Sequence, residues 1–204
     1  MRLPAAARRR QLLGVALDIF GERGFHATSM NDLAEAAGVT KPVLYQHFSS
    51  KRELFLELLA EIGADLSSVI AKATVDQSST RQQLEHGFDA YFAWADHNRA
   101  AFDLLFSAGT RREPDFLAAA HRVEDAIADL VADNIVISGL TRERRVLLAH
   151  GIVGMAESTC RRWIAKPASI DHAELAAQVS ELVWFGLRGI RAAEQPDHPA
   201  DPRR

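Results

Sequence analysis

A single cysteine, Cys160, stands in 204 residues, so an intrachain disulfide framework and a cysteine metal cage are both excluded. One lone cysteine also fits a reducing compartment. Long apolar runs are missing: no stretch approaches the length of about eighteen residues that spans a bilayer, and the N-terminus has no signal-peptide core. The expected location is therefore cytoplasmic, with no membrane partner. Strand signals are scarce, because Val and Ile are scattered and alternation over several residues is rare. Enzyme motifs are missing as well. The eight histidines form no HExxH pair, and no glycine-rich phosphate loop follows a strand. Cys160 lies between Thr159 and Arg161 in a helical pattern, where a lone cysteine reads as a small buried hydrophobe. Asp and Glu fall mainly on helix surfaces. The chain is expected not to be an enzyme and to need no metal or cofactor.

What is present is apolar residue at every third and fourth position, with a hydrophobic fraction of 48% that suffices for a sizeable core. The expected fold class is all-α. A first helix is expected over residues 8–23, with Leu13, Ala16, Leu17 and Phe20 on one face, Gly24 as its stop and Phe25 folding back onto the same core. Two short helices follow, over 30–37 and 41–48, separated by Gly38, Val39 and Thr40. A long helix opens at Lys51, with Ser50 as N-cap and Glu53 in its first turn. Five more helices are expected beyond it, with breaks at 76–80, 109–114, 138–141 and 166–170; the last two run over 141–165 and 171–193. The domains read as a head over 1–50, a body over 51–195 and a disordered tail over 196–204, where three prolines sit among charges. Charge divides near the same place: residues 1–52 hold eight Lys and Arg against four Asp and Glu, a net of +4, and the remainder carries a net of −7. A basic head on an acidic body suits nucleic acid, although such an excess is also compatible with an ordinary solvated face.

The two short helices form a helix-turn-helix pattern. Leu33, Ala34, Ala37, Val39, Val43, Leu44 and Phe48 can pack them against each other and against the first helix. Asp32, three residues after Ser29, reads as a variant capping box; Thr40 can cap the second short helix, and Pro42 sits in its first turn, where a missing N–H costs nothing. Outside the packing remain Lys41, Pro42, Tyr45, Gln46 and His47, a donor-rich surface on a helix short enough for a major groove. In this docking mode Gln46 can bond an adenine edge, and Pro42 and Val43 can touch a thymine methyl. Tyr45, His47, Thr28, Ser29, Thr40 and Lys51 are placed to meet phosphates or their neighbours. The bland reading makes this cluster the amphipathic surface of a small domain. The basic leader, Arg2 with Arg8, Arg9 and Arg10, reads equally as a phosphate or minor-groove arm or as a solvated segment.

The run Ala16-Leu17-Asp18-Ile19-Phe20 with Gly24-Phe25, then Thr28 to Ala34, Ala37 to Thr40, and Leu44 to Phe48 with Lys51 and Leu54, resembles the N-terminal signature of the TetR family in order and spacing. The resemblance covers roughly the first quarter of the chain. It departs at Pro42, where relatives often carry a small residue, and at Gln46, often His, which bears on the bases read and not on the class. The resemblance implies a homodimer that binds a palindromic or near-palindromic operator, with half-sites about 34 to 36 Å apart in this geometry, and a C-terminal body that senses a small-molecule effector. A repressor released by an apolar or amphipathic ligand is the expectation. By the same resemblance the ligand site lies among the central helices, with Tyr91, Phe92, Phe102, Phe106, His121, Met155, Glu157 and Trp163 as candidates; aromatic residues at helical spacing read otherwise as core. The last two helices resemble the family's dimer pair. Gly151, Gly154, Ala156, Gly186 and Gly189 would permit close approach, and Val183, Trp184, Leu187 and Ile190 join Gly151 as candidate interface residues. Burial of the same residues inside one subunit is the alternative. A helical ligand carrier without a DNA role remains the rival function.

Overall fold

The computed structural model of the chain describes residues 4–166 and 170–190. Arg2, the break after Lys166 and the tail beyond Glu194 lie outside the described residues. Within them the chain is helical throughout: α1 (Ala5–Ala27), α2 (Met30–Ala36), α3 (Lys41–Tyr45), α4 (Lys51–Thr74), α5 (Thr80–His97), α6 (Arg99–Phe106), α7 (Pro114–Asn134), α8 (Arg142–Ala165) and α9 (His172–Gly189), with one 3₁₀ turn at Thr110–Arg112.

The helix starts follow from local side-chain chemistry. Orphan N–H groups in the first turns are met by Ser29, Ser50, Ser79, Thr141 and Asp171, each accepting from the backbone three residues on. At Ser29 the box closes both ways, since Asp32 N–H donates to the serine hydroxyl at 3.2 Å and Ser29 N–H donates to the Asp32 carboxylate at 2.8 Å. Those bonds hold the exposed Asp32 carboxyl below its ordinary range. Thr40 departs from the expected cap: it stands at the N-cap of α3 with extended backbone, but its side chain makes no capping bond. The helix nevertheless starts cleanly, because Pro42 presets φ in the first turn and removes one donor that would need a partner.

α1 runs past its expected stop, but Gly24 interrupts it at φ 75° and ψ 167°, a conformation that costs a side-chain-bearing residue dearly. The break turns Phe25 back onto Phe55 and Phe116, with ring centroids 5.0 and 4.8 Å apart. Phe20 completes the group against Phe55 at 5.0 Å. These rings come from α1, α4 and α7, so the head and the body share one aromatic junction. Arg52 adds a polar edge to it, donating to Asp115 at 2.9 Å and to Glu113 at 3.2 Å with its guanidinium 4.9 Å from the Phe116 ring centre.

α4 carries the core from end to end. Leu54, Phe55, Leu58, Leu59, Ile62, Leu66 and Ile70 form one buried stripe along a rod that, at 1.5 Å per residue, extends about 36 Å. Midway, Gly63 is buried against α7, where an added Cβ would overlap Val123. In the body α9 lies along α5 and α8 along α7. No helix among the described residues is long and apolar enough to cross a membrane.

Candidate nucleic-acid interface and effector cavity

The turn between α2 and α3 depends on Gly38, whose φ of 64° is left-handed, and Val39 N–H returns to Ala34 O at 2.9 Å. Leu33, Ala34, Leu44 and Phe48 are buried beneath it. Lys41, Pro42, Tyr45 and Gln46 are exposed on one side of α3, with Thr40 at its start. Val43 and His47 are half-buried at the margins. The expected reading surface is thus contiguous, and the Thr40 hydroxyl, free of a cap, lies at its rim. Asn31, exposed beside Ser29 at the start of α2, adjoins the same turn; nothing in its sequence context singled it out.

Three of the expected contact residues have internal work. Thr28 is 2% exposed, and its hydroxyl donates to Gly24 O at 2.9 Å. Lys51 sends its ammonium to Phe25 O at 2.7 Å and Thr28 O at 2.6 Å, with Nζ 4.3 Å above the Phe25 ring. Loss of solvation pulls this ammonium below its ordinary range, with the Asp32 carboxylate acting the other way. The lysine therefore serves as a clamp that closes the carbonyls left open by the Gly24 break. Ser29 is exposed, but its hydroxyl is engaged in the capping box. In the leader, Arg9 Nε donates to Glu57 at 2.6 Å, and its guanidinium also reaches the second Glu57 oxygen and His47 O while lying 4.4 Å from the Phe48 ring centre. That leaves Arg10 as the exposed arginine of the described leader.

The body holds a small cavity of about 60 Å³ between α4, α5, α7 and α8. Its walls are apolar, with Ile70, Leu84, Phe88, Ile127, Val131 and Val153 facing it, while Thr80, Gln83 and Asn134 lie toward one end and Tyr91 toward the other. Of the residues expected around a ligand, Tyr91 lines this space. Phe92, Phe102 and Phe106 are buried in the core beside it, Phe102 and Phe106 packing at 4.9 Å. Met155 is half-buried and His121 lies exposed on α7, both away from the cavity lining. Glu157, 7% exposed, accepts from Arg111 at 2.7 Å and pairs with Arg161. Trp163 donates its indole N–H to Ile170 O at 3.1 Å. For the aromatic positions the physical reason is that large side chains at helical spacing meet the nearest apolar neighbours, whereas small residues, Gly87 and Ala156, are among those that line the cavity. Cys160 is fully buried and its thiol is pushed up to about 12 by desolvation, so it remains protonated.

α8 and α9 carry exposed apolar residues on their outward sides, among polar ones such as Arg144, His150, Glu181 and Arg188. Leu147, Leu182 and Phe185 are 66%, 64% and 59% exposed. Gly151, Gly154, Gly186 and Gly189 share that exposure, and a Cβ at any of them would meet nothing within 4 Å. Val183 and Leu187 are turned inward and buried. Trp184 and Ile190 are half-buried, lining a surface depression of about 250 Å³ beside Thr80 and Ile135.

A short helix with an exposed polar face, held across a three-residue turn and carried on a larger helical body, is the architecture of the helix-turn-helix regulators. Comparison with known proteins agrees. Residues 12–58 match the family described as bacterial regulatory proteins, tetR family, and residues 80–186 match the tetracyclin repressor-like C-terminal domain. The chain belongs to the TetR family of transcriptional regulators. It is similar to the transcriptional activator FasR of Mycolicibacterium smegmatis, 35% identical over 193 residues that cover 93% of this chain and 87% of that one. It is also similar to the transcriptional repressor KstR2 of the same species, 33% identical over 187 residues, 89% and 91% of the two chains. A TetR-like regulator from Rhodococcus sp. RHA1 superposes with a TM-score of 0.75 at 30% identity, covering 93% of this chain and all of the other.

Proposed function

We propose that the protein acts in the cytoplasm as a homodimeric, non-enzymatic repressor that places two copies of α3 in successive major grooves of a palindromic operator and is released when a small apolar or amphipathic molecule enters the body. The observation that carries this reading is the exposed, polar side of α3 set on a fully buried Leu44 and Phe48. Tyr45, Gln46, Lys41, Pro42 and Thr40 are its contact residues, with Val43 and His47 at the edge. Thr28, Ser29 and Lys51 hold the head in shape and contribute to DNA mainly through that shape.

Two copies are supported by the exposed apolar residues of α8 and α9. Large exposed hydrophobics that the protomer's own core does not use suit a partner surface, and exposed glycines on the same helices allow a second helix to come close. Gly151, Leu147, Leu182 and Phe185 form its centre, Trp184 and Ile190 its margin, and Val183 and Leu187 support it from behind. The head then comprises residues up to about 50 and the body the remainder. α4 belongs to both, so a ligand among α4, α5, α7 and α8 can favour one head spacing over another. It must bind that state more tightly to shift anything. A second reading, activation, is favoured by the similarity to an activator over nearly the whole chain; the same DNA surface serves both signs of control.

Selection of bound duplexes from a random library, at two salt concentrations, tests the reading. Enrichment of an inverted repeat at both salts is the expected result. Binding without an enriched sequence, weakening steeply with salt, would reduce the head to nonspecific electrostatics, and no binding would favour a ligand carrier.

A further inference from the structure

Tyr91 ends the cavity with a polar atom that has no protein partner. The residue is 5% exposed, and its hydroxyl makes no hydrogen bond among the described residues. A buried hydroxyl without a partner carries a desolvation cost that a fold ordinarily avoids. Around it stand apolar walls, so a ligand that enters is the partner available to it. Along α5, Thr80 and Tyr91 are separated by three turns, about 16 Å at helical rise, so the space is elongated, with Thr80, Gln83 and Asn134 at one end and the lone hydroxyl at the other. The outer end adjoins the surface depression through Thr80 and Ile135, which line both. That places the entrance at the Thr80 end and Tyr91 at the blind end.

The charge at the blind end decides what the ligand carries there. Beyond its burial, the groups that act on the Tyr91 hydroxyl are Cys160 and Arg161 from α8 and then Glu124 from α7. Arg111 is shared between Glu124 at 3.1 Å and Glu157 at 2.7 Å, and Arg161 also pairs with Glu157. The two guanidinium charges are matched by the two carboxylates, so no net positive charge is left to hold a negative group on the ligand. The buried Arg111 Nε–H, itself without a partner among the described residues, is a further donor at that end. Burial raises the Tyr91 phenol well above its ordinary range, which keeps it an O–H donor at any physiological pH. A donor asks for an acceptor.

Resting on the effector reading above, we propose that the ligand is an elongated, mainly apolar molecule whose leading, buried end bears an uncharged acceptor oxygen, a ketone, ester or ether, that takes the Tyr91 hydrogen bond. A chain ending in a bare methyl group would leave the hydroxyl unpaired, and a chain ending in a carboxylate would bury a charge at an end whose guanidinium groups are already paired. The cavity as it stands, at about 60 Å³, lies below the roughly 300 Å³ of ordinary ligand pockets. Entry therefore has to part the helices, which is what couples occupancy to α4.

The test uses three probes of matched size, butyrophenone, butylbenzene and 4-phenylbutyrate, titrated calorimetrically into the wild-type protein, Tyr91→Phe and Ala156→Leu. The wild type is expected to bind butyrophenone more tightly than either other probe. Tyr91→Phe removes only the hydroxyl. It is expected to weaken butyrophenone several-fold, up to about tenfold, to leave butylbenzene unchanged, and to melt no lower than the wild type because an unpaired buried group has gone. Ala156→Leu fills the cavity and is expected to abolish binding of all three; if it does not fold, the Tyr91→Phe comparison decides alone. Binding of butyrophenone and butylbenzene in a ratio that Tyr91→Phe leaves unchanged would overturn the acceptor proposal and spare the cavity. Failure of every probe to bind the wild type, or full binding by a folded Ala156→Leu, would overturn the cavity reading and the proposal with it.

Discussion

Lys51 and Tyr45 show how differently neighbouring polar residues can be employed. Tyr45, 45% exposed, and Gln46 project from α3 with no internal partner, and amphipathic spacing against Leu44 and Phe48 makes that outward direction legible in the sequence. Lys51 looks equally suited to a phosphate, yet it closes two backbone carbonyls at Phe25 and Thr28. A carbonyl acceptor leaves no trace in residue identity, so this role emerges only once the Gly24 break is seen. Replacement Lys51→Met keeps the aliphatic stem over Phe25 and removes the donors. It is expected to cost about 2 kcal/mol of stability, measured by urea unfolding, with an unchanged midpoint contradicting the clamp. Arg9 belongs to the same lesson, since its pairing with Glu57 spans 48 positions and no local pattern announces it.

Among the elements, helix starts were readable because capping is local: Ser29 with Asp32 and Ser50 with Glu53 are written within four residues. Both carboxyls sit below their ordinary values, Asp32 through its bonds to Ser29 and Glu53 through its bonds to Ser49. A carboxyl depressed in the folded state stabilises above its unfolded pKa, and that contribution disappears as pH falls through the folded value. The melting temperature of the wild type is therefore expected to drop between about pH 5 and pH 3. The double variant Asp32→Asn, Glu53→Gln should melt lower at neutral pH and descend less steeply in acid. An equally steep descent would show that these caps do not contribute. Contacts between elements were far less legible. Gly63 carries no turn or cap signal, yet it is the point where α4 meets Val123 of α7. Gly63→Ala, ordinarily favourable in a helix, is expected instead to destabilise by about 1 to 3 kcal/mol, read from denaturant unfolding; a stabilised protein would mean that the helices separate freely there. The cavity of the body is hidden for a related reason, since a void lies where helix faces leave space unfilled, which the large residues that pattern reading selects do not reveal.

At the level of the whole molecule, the all-α class and the count of helices among the described residues are visible in periodicity and punctuation, whereas which side of α8 and α9 faces outward is not. Wide apolar faces on both helices supply more hydrophobic positions than one side can use, so Val183 and Leu187 pack inward while Leu182 and Phe185 remain exposed. Placing charge on that face, Leu182→Glu with Phe185→Glu, is expected to yield a folded monomer in sedimentation analysis, since neither side chain is used by the protomer's own core. A persistent dimer would move the interface elsewhere. The junction of Phe25, Phe55 and Phe116 with Arg52 ties the head to α7, whose far half lines the cavity. A displacement of α7 thus has a direct mechanical route to the head.

The central claim, that the exposed side of α3 reads sequence, is tested most directly by fluorescence anisotropy of the enriched duplex and of a scrambled duplex, with the wild type and with Tyr45→Ala, Gln46→Ala, at two salt concentrations. The account predicts that the variant loses at least about fivefold in affinity for the enriched duplex, while its weak, salt-dependent binding to the scrambled duplex stays as it was. An unchanged ratio between the two duplexes would contradict it and remove the reading function from α3.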